Sequence, residues 1–353
     1  MNSSDVQSLL DVRNPLIIDA IVKADSVLST HKRAGVSVSG GADSDIMVDL
    51  IERVRTGSWC DIKYVFFDTG FEYKATKEHL SYLEQRYGIE IVRIKADKTI
   101  PICVRRYGQP FISKYVSTQI ERLQKYGFCF EDEPADVLNE RYPQCTSAIR
   151  WWTNSHNGGR STFDINSNRM LKEFMVENPP TFKISAKCCL YAKKEVSKKF
   201  NRQNDSDLIC IGVRKAEGGV RSKNPNITCF SHRPNDIDIY RPLFWFSNSD
   251  CDAYRHAFEL RRSDCYEVWG MKRTGCVGCP FNKNALEELG LSEPYEPNMK
   301  KAAQRLFADS YEYTRQFHEY RHIRNFKREI SSRDSWARMF DWINESPEWT
   351  SIE

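Results

Sequence analysis

Residues 34–44 read Ala34-Gly35-Val36-Ser37-Val38-Ser39-Gly40-Gly41-Ala42-Asp43-Ser44, and this stretch decides the fold. A valine-rich run stops at a glycine pair, and Ile46, Met47, Leu50 and Val54 then follow at helical spacing. The pattern is a strand, a tight loop and a helix. Working outward, IKYVFFD at 62–68 predicts a buried strand, residues 73–88 a helix closed by Gly88, and IEIVRI at 89–94 a third strand. Such alternation implies a parallel sheet covered on both faces, an α/β doubly wound class. TFKIS at 181–185 and DLICIGVR at 207–214 are apolar and β-branched, so at least five strands are expected. Between them, residues 101–180 are aromatic and charged helical segments broken by proline and by NSHNGG at 154–159, and read as a helical insertion. The expected organisation is an N-terminal helix at 1–30, an α/β domain at 31–290 and a helical C-terminal lobe at 291–353.

Composition narrows the function classes. With 353 residues, 40% hydrophobic and 12% aromatic, the chain can bury a sizeable core, which excludes a disordered protein. A mean hydropathy of -0.60 leaves no run of about 20 apolar residues for a membrane span. Near the N-terminus PLIIDAIV is interrupted by Asp19 and reads as a helix rather than a signal peptide, so a cytoplasmic location is expected. The net charge of +4 is too mild to diagnose a nucleic-acid partner. Twelve cysteines without an export signal argue for reduced thiols serving a metal, a cluster or catalysis.

The loop after the first strand aims backbone N–H groups and a positive helix end at one place, where an anion belongs. Gly40 and Gly41 let the backbone approach a phosphate, Ser39 and Ser44 offer hydroxyls, and Asp43 suits a magnesium ion or the positioning of the loop. An ordinary strand-to-helix turn with a serine cap shares these features. A Walker loop does not, since Asp43-Ser44 stands where the Lys-Ser or Lys-Thr pair belongs. Arg214 and Arg221, shortly after a strand, can clamp phosphate or sulfate oxygens in a bidentate way. Cys188-Cys189 and Cys276-x-x-Cys279 supply four thiols in two tight pairs, which suits zinc or an iron-sulfur cluster. Scattered Cys60, Cys103 and Cys210 read as packed core thiols.

The six residues 39–44 in this context resemble the PP-loop of ATP pyrophosphatases, in the branch holding phosphoadenosine phosphosulfate reductases and the related DNA phosphorothioation ATPases. Phe67-Asp68-Thr69-Gly70 resembles that family's loop beside the nucleotide. Gly212-Val213-Arg214 with Glu217 and Arg221 resembles its G-x-R-x-x-E-S-x-x-R motif, Gly218 replacing the usual serine. The resemblance spans residues 31 to about 290 and implies an adenine nucleotide α-hydrolase fold. It also implies ATP phosphates on Ser39, Gly40, Gly41, Asp43 and Ser44, a nucleoside near Asp68, Thr69 and Gly70, and a Mg2+ ion. Asp43, Arg214 and Arg221 take the catalytic roles in that picture.

Lys187-Cys188-Cys189 with Lys193-Lys194, and Arg273-Thr274-Gly275-Cys276-Val277-Gly278-Cys279-Pro280, resemble the 4Fe-4S pattern of adenylylsulfate-reducing relatives, zinc being the alternative at the same cysteines. Lys187 and Arg273 would offset thiolate charge and reach an anionic substrate. Reductases of this kind attack with a cysteine in a C-terminal tail, yet no cysteine follows Cys279 here. The resemblance therefore implies ATP-dependent adenylylation of a substrate for sulfur transfer. Reduction of a sulfonucleotide to sulfite is the alternative, and a nucleotide-binding, cluster-bearing subunit without turnover is the alternative of another class. A cysteine desulfurase or thioredoxin is the kind of sulfur partner implied. Cys145 and Cys229 are secondary thiol candidates. Residues 299–340 hold ten Lys and Arg against five Asp and Glu, interleaved with aromatics. That segment reads as an amphipathic helix on the core, with a nucleic-acid surface as the other reading.

Overall fold

The computed structural model describes residues 14–55, 57–159, 161–218, 224 and 226–331, with side chains of residues 326–331 left out. Six strands form one sheet in the order β3-β2-β1-β4-β6-β5. Their bounds are β1 Arg33–Ser37, β2 Asp61–Asp68, β3 Ile91–Lys95, β4 Leu208–Ile211, β5 Phe230–Ser231 and β6 Asp238–Tyr240. All pairs are parallel except β5 with β6. Val36 lies opposite both Tyr64 and Cys210, so β1 is the central strand and its residues 34–36 are buried on both faces. That double burial is why the run reads as continuous rather than alternating.

Helix Ala42–Arg55 carries β1 over to β2, and helix Lys74–Tyr87 carries β2 to β3. Gly88 ends the second helix at φ 63°, a left-handed cap that costs a glycine little. Helix Pro15–Ser29 begins at Asn14, whose side chain accepts the Leu16 N–H at 3.0 Å, and packs on helix Ala42–Arg55. Ile17, Ile21, Leu28, Ile46, Leu50 and Ile51 are fully or almost fully buried in this layer. Each such side chain contributes on the order of 1.5–3 kcal/mol. On the other side, Phe200 of helix Glu195–Gln203 meets Phe67 edge to face. After β3 the chain returns as β4 on the far side of β1, so the strand order reverses between β1 and β4. In open α/β sheets that reversal opens a crevice at the strand C-termini, where ligands bind.

The chain divides into two compact units, residues 1–107 with 187–306, and residues 108–186 with 307–353. The second unit is helical, built from Lys114–Lys125, Ala135–Arg141, Thr146–Trp152, Leu171–Glu177 and Ala308–Ser331. Its core holds Phe111, Ile120, Leu123, Trp151, Trp152 and Phe174, with Tyr313 and Phe317 from the last helix. The 291–353 stretch expected as one lobe thus splits. Helix Pro297–Leu306 goes with the sheet unit, and helix Ala308–Ser331 completes the core of the inserted segment. Arg315 pairs with Glu312, and Arg324 with Glu177, on the outside of that helix.

TFKIS is not a strand of the sheet. Its only ladder feature is an isolated bridge between Ile184 and Gln109. The backbone there is spent elsewhere: Gln109 exchanges bonds with Lys183 and Ser185, and the Gln124 side chain receives the Ile184 N–H at 2.9 Å. Among the described residues no helix is long and apolar enough to cross a membrane.

Candidate functional site

The loop at 39–44 lies at the C-terminal end of β1, at the reversal point. Ser44 is 4% exposed and its hydroxyl accepts the Ser39 N–H at 2.9 Å, while Ser39 accepts the Gly41 N–H at 3.3 Å. Two serines expected to face phosphate therefore first close the loop on itself. Gly40 sits at φ 67°, and a Cβ there would stand 2.8 Å from the Thr76 methyl, so only glycine fits. Asp45 N–H then donates to the Gly41 carbonyl at 3.1 Å and starts the helix.

The chain after β4 closes the other side. A Cβ on Gly212 would stand 3.2 Å from the Asp43 carbonyl, so its hydrogen lets the two backbones nearly touch. Arg214 Nε donates to Asp43 Oδ2 at 2.7 Å, and its Nη1 to Asn248 Oδ1 at 3.0 Å. Burial works against the guanidinium charge, but the bond to Asp43 outweighs it and raises Arg214 above its ordinary value. Asp43, expected to meet magnesium or to position the loop, is here the partner of Arg214. Arg221 lies outside the described residues.

At the end of β2, Asp68 accepts the Gly70 N–H at 2.8 Å and the Lys77 ammonium at 2.8 Å. Burial pushes its carboxyl up, yet Lys77 and Gly70 together hold it below the usual carboxylate range. Thr69 is fully buried, and its N–H and hydroxyl both bond Glu72, which also receives the Phe71 N–H at 3.1 Å. Glu72 is raised, mainly by burial.

This second loop carries the Cys-x-x-Cys turn. Cys276 forms an antiparallel bridge with Glu72, Val277 N–H donates to Phe71, and Thr69 Oγ1 is 3.8 Å from Cys276 Sγ. Gly278 at φ 57° and a bond from Cys279 N–H to Cys276 make the turn itself. Cys188 and Cys189 come from the turn Lys187–Cys189, which runs into a π turn at Leu190–Lys194, a distortion frequent at functional sites. The four sulfurs feel one another. Cys189, burial, Cys279 and Cys276 all push the Cys188 thiol well up, and burial with Cys276 and Cys189 pushes Cys279 up to about 12. Lys193 is raised by Cys276 first, then by Cys189 and Glu72, although the residue as a whole is exposed. Thiolates formed here would repel one another, and a metal or cluster held by Cys188, Cys189, Cys276 and Cys279 would offset that charge. Among the described residues no three His, Cys, Asp or Glu side chains stand ready in metal-holding geometry.

Tyr266 links the two halves. Its hydroxyl receives the Ala42 N–H at 3.3 Å from the first loop and the Thr274 N–H at 3.0 Å from the approach to Cys276. The glycine loop and the cysteine turn therefore share one locus. Tyr266, Glu72 and Lys77 carry no local motif, so sequence reasoning missed them, and it quoted Thr274 only as part of the cysteine motif. Of the other expected residues, Lys187 lies over the Tyr107 ring at 5.2 Å, and Arg273 is exposed, its charge opposing the burial that raises Glu288. Cys145 is buried in the helical unit, its thiol 3.6 Å from the Tyr142 carbonyl. Cys229 is half-buried beside β5.

Residues 33–127 match the phosphoadenosine phosphosulfate reductase domain. An uncharacterized protein of Methanocaldococcus jannaschii, MJ0066, is 33% identical over 105 residues, which are 30% of this chain and 21% of that protein. The match thus spans about a fifth of that relative's length. Among solved structures, a phosphoadenylyl-sulfate reductase from Candida auris in complex with phosphate is 11% identical, covering 78% of this chain and 96% of that one at a TM-score of 0.38. The U34-tRNA thiolase NcsA from Methanococcus maripaludis, with its [4Fe-4S] cluster, is 13% identical, covering 85% and 78% at a TM-score of 0.38. At this level of superposition neither likeness bears on activity.

Proposed function

We propose that the sheet unit binds Mg-ATP and activates a substrate for sulfur transfer by adenylylation. The observation that carries this reading is the closed Ser39–Ser44 loop at the strand-order reversal, sealed by Gly212 and Arg214 and joined through Tyr266 to the Cys276 turn. A substrate oxygen attacks the α-phosphorus, the bond to the β-phosphate oxygen breaks, and pyrophosphate leaves with that bonding pair. Backbone N–H groups at the helix start, the Ser39 hydroxyl, Arg214 and Arg221 stabilise charge on the phosphoryl oxygens. Asp43 positions Arg214, or holds the Mg2+ that arrives with the nucleotide. Asp68 and Gly70 border the nucleoside, and sulfur then displaces AMP from the activated carbon.

Cys188, Cys189, Cys276 and Cys279 would hold a 4Fe-4S cluster or, with the same ligands, zinc. When bound, that group supplies either a rigid corner for the site or a place to hold sulfur. Lys193 offsets its negative charge. The sulfur comes from a donor such as a cysteine desulfurase or thioredoxin, and reduced thiols fit a cytoplasmic setting. The test is pyrophosphate release in Asp43→Ala: abolition with metal content unchanged supports the reading, and full activity overturns it. The match of residues 33–127 to a reductase domain favours a second reading, reduction of a sulfonucleotide. Sulfite formation with thioredoxin present tests it, Cys145→Ser and Cys229→Ser locating the thiol.

A further inference from the structure

Arg255 stands outside every motif that marks this site, yet it points at the same carboxylate. Helix Asn248–Ala257 is anchored at its start by a reciprocal capping pair, Ser247 and Asp250, and lays Cys251 and Arg255, one turn apart, against Asp43. Cys251 Sγ is 3.9 Å from Asp43 Oδ1, and Arg255 Nη2 is 3.7 Å from the same oxygen. On its outer side Arg255 Nη1 is held by Asp252 at 2.7 Å, which fixes the plane of the guanidinium. Nε is shielded from solvent and has no hydrogen-bond partner.

The vacant positions are informative. Nε and Nη2 carry the two parallel N–H bonds that a guanidinium offers to a carboxylate or phosphate. Asp43 fills neither: its near oxygen is beyond hydrogen-bond reach of Nη2, and its other oxygen is taken by Arg214. Two guanidinium groups thus share one carboxylate, and the second keeps a shielded, unsatisfied Nε–Nη2 edge beside the glycine loop. A buried donor without an acceptor is costly, and an oxyanion entering here removes that cost.

We propose that Arg255 is a ligand of the pyrophosphate portion of the bound nucleotide, taking two of its oxygens through the Nε–Nη2 edge. The inference rests on the ATP reading above and adds a residue to it. Calorimetric titration of the full chain and of Arg255→Met and Arg255→Lys with Mg-pyrophosphate, Mg-ATP and AMP tests it. Arg255→Met is expected to weaken Mg-pyrophosphate and Mg-ATP by about ten-fold or more, and AMP by less than about two-fold. Arg255→Lys falls between, because lysine supplies the charge without the fork. Equal Mg-ATP and Mg-pyrophosphate affinities in wild type and Arg255→Met overturn the inference and leave the ATP reading standing. A wild type that binds neither overturns both. A second measurement does not depend on the variants' stability: the Nε–H resonance of Arg255 in arginine-labelled wild type, assigned by its loss in Arg255→Lys. It is expected to shift on adding Mg-pyrophosphate, and an unmoved signal contradicts the proposal.

Discussion

The glycine loop and the cysteine corner sit side by side but are finished to different degrees. Ser39, Gly41 and Ser44 bond one another, Gly40 and Gly212 fit without room to spare, and Arg214 already holds Asp43. The loop is complete before any ligand arrives. At the corner, two segments carry the buried Cys188 and the half-buried Cys189, Cys276 and Cys279, whose thiols push one another up. One region is preorganised by hydrogen bonds, and the other is where we propose a metal or cluster.

The comparison breaks most visibly at Cys276. Cys276→Ser is expected to remove nearly all bound metal, as measured by elemental analysis, while Mg-ATP affinity changes by less than about three-fold. A large loss of ATP binding would merge the two regions into one cooperative site. Next in size, Gly40→Ala places a methyl against Thr76 in a left-handed conformation. It is expected to cost about 1–3 kcal/mol in thermal unfolding and to lose ATP binding while metal content holds.

Much of this site was legible because its residues break local rules. A glycine pair closing a valine run, Arg214 after a strand, and paired cysteines are all unusual in sequence. Tyr266 was not, because a tyrosine becomes a bridge only when a contact 224 residues away brings it to Ala42. Glu72 and Lys77 are ordinary helix-entry residues until the loop folds back on them. In the fold, β1 to β4 followed from apolar runs. TFKIS misled for the same reason, since its backbone goes to Gln109 and Gln124 rather than to a neighbouring strand. The aromatics at Tyr313 and Phe317 are core of the helical unit, which charge counting alone leaves open.

Tyr266→Phe sharpens the comparison, because it deletes only the hydroxyl that joins the two regions. It is expected to cost about 1 kcal/mol of stability and to weaken Mg-ATP about five-fold in calorimetry. The smallest effect is electrostatic. The Asp68 carboxyl is held low, so its contribution to stability is fully present above its unfolded value and is lost as pH falls through the folded one. Because the Asp68–Lys77 pair is partly exposed, Asp68→Asn is expected to cost only about 0.5 kcal/mol at neutral pH, vanishing toward acid, as followed by urea unfolding at several pH values.

The most direct test is anaerobic calorimetry of the metal-loaded protein with Mg-ATP and, separately, with adenylylsulfate and its 3'-phosphorylated form. The account predicts that Mg-ATP binds about ten-fold or more tightly than either sulfonucleotide, and that Asp43→Ala abolishes this binding. Tighter binding of a sulfonucleotide than of Mg-ATP would contradict it and assign the site to reduction.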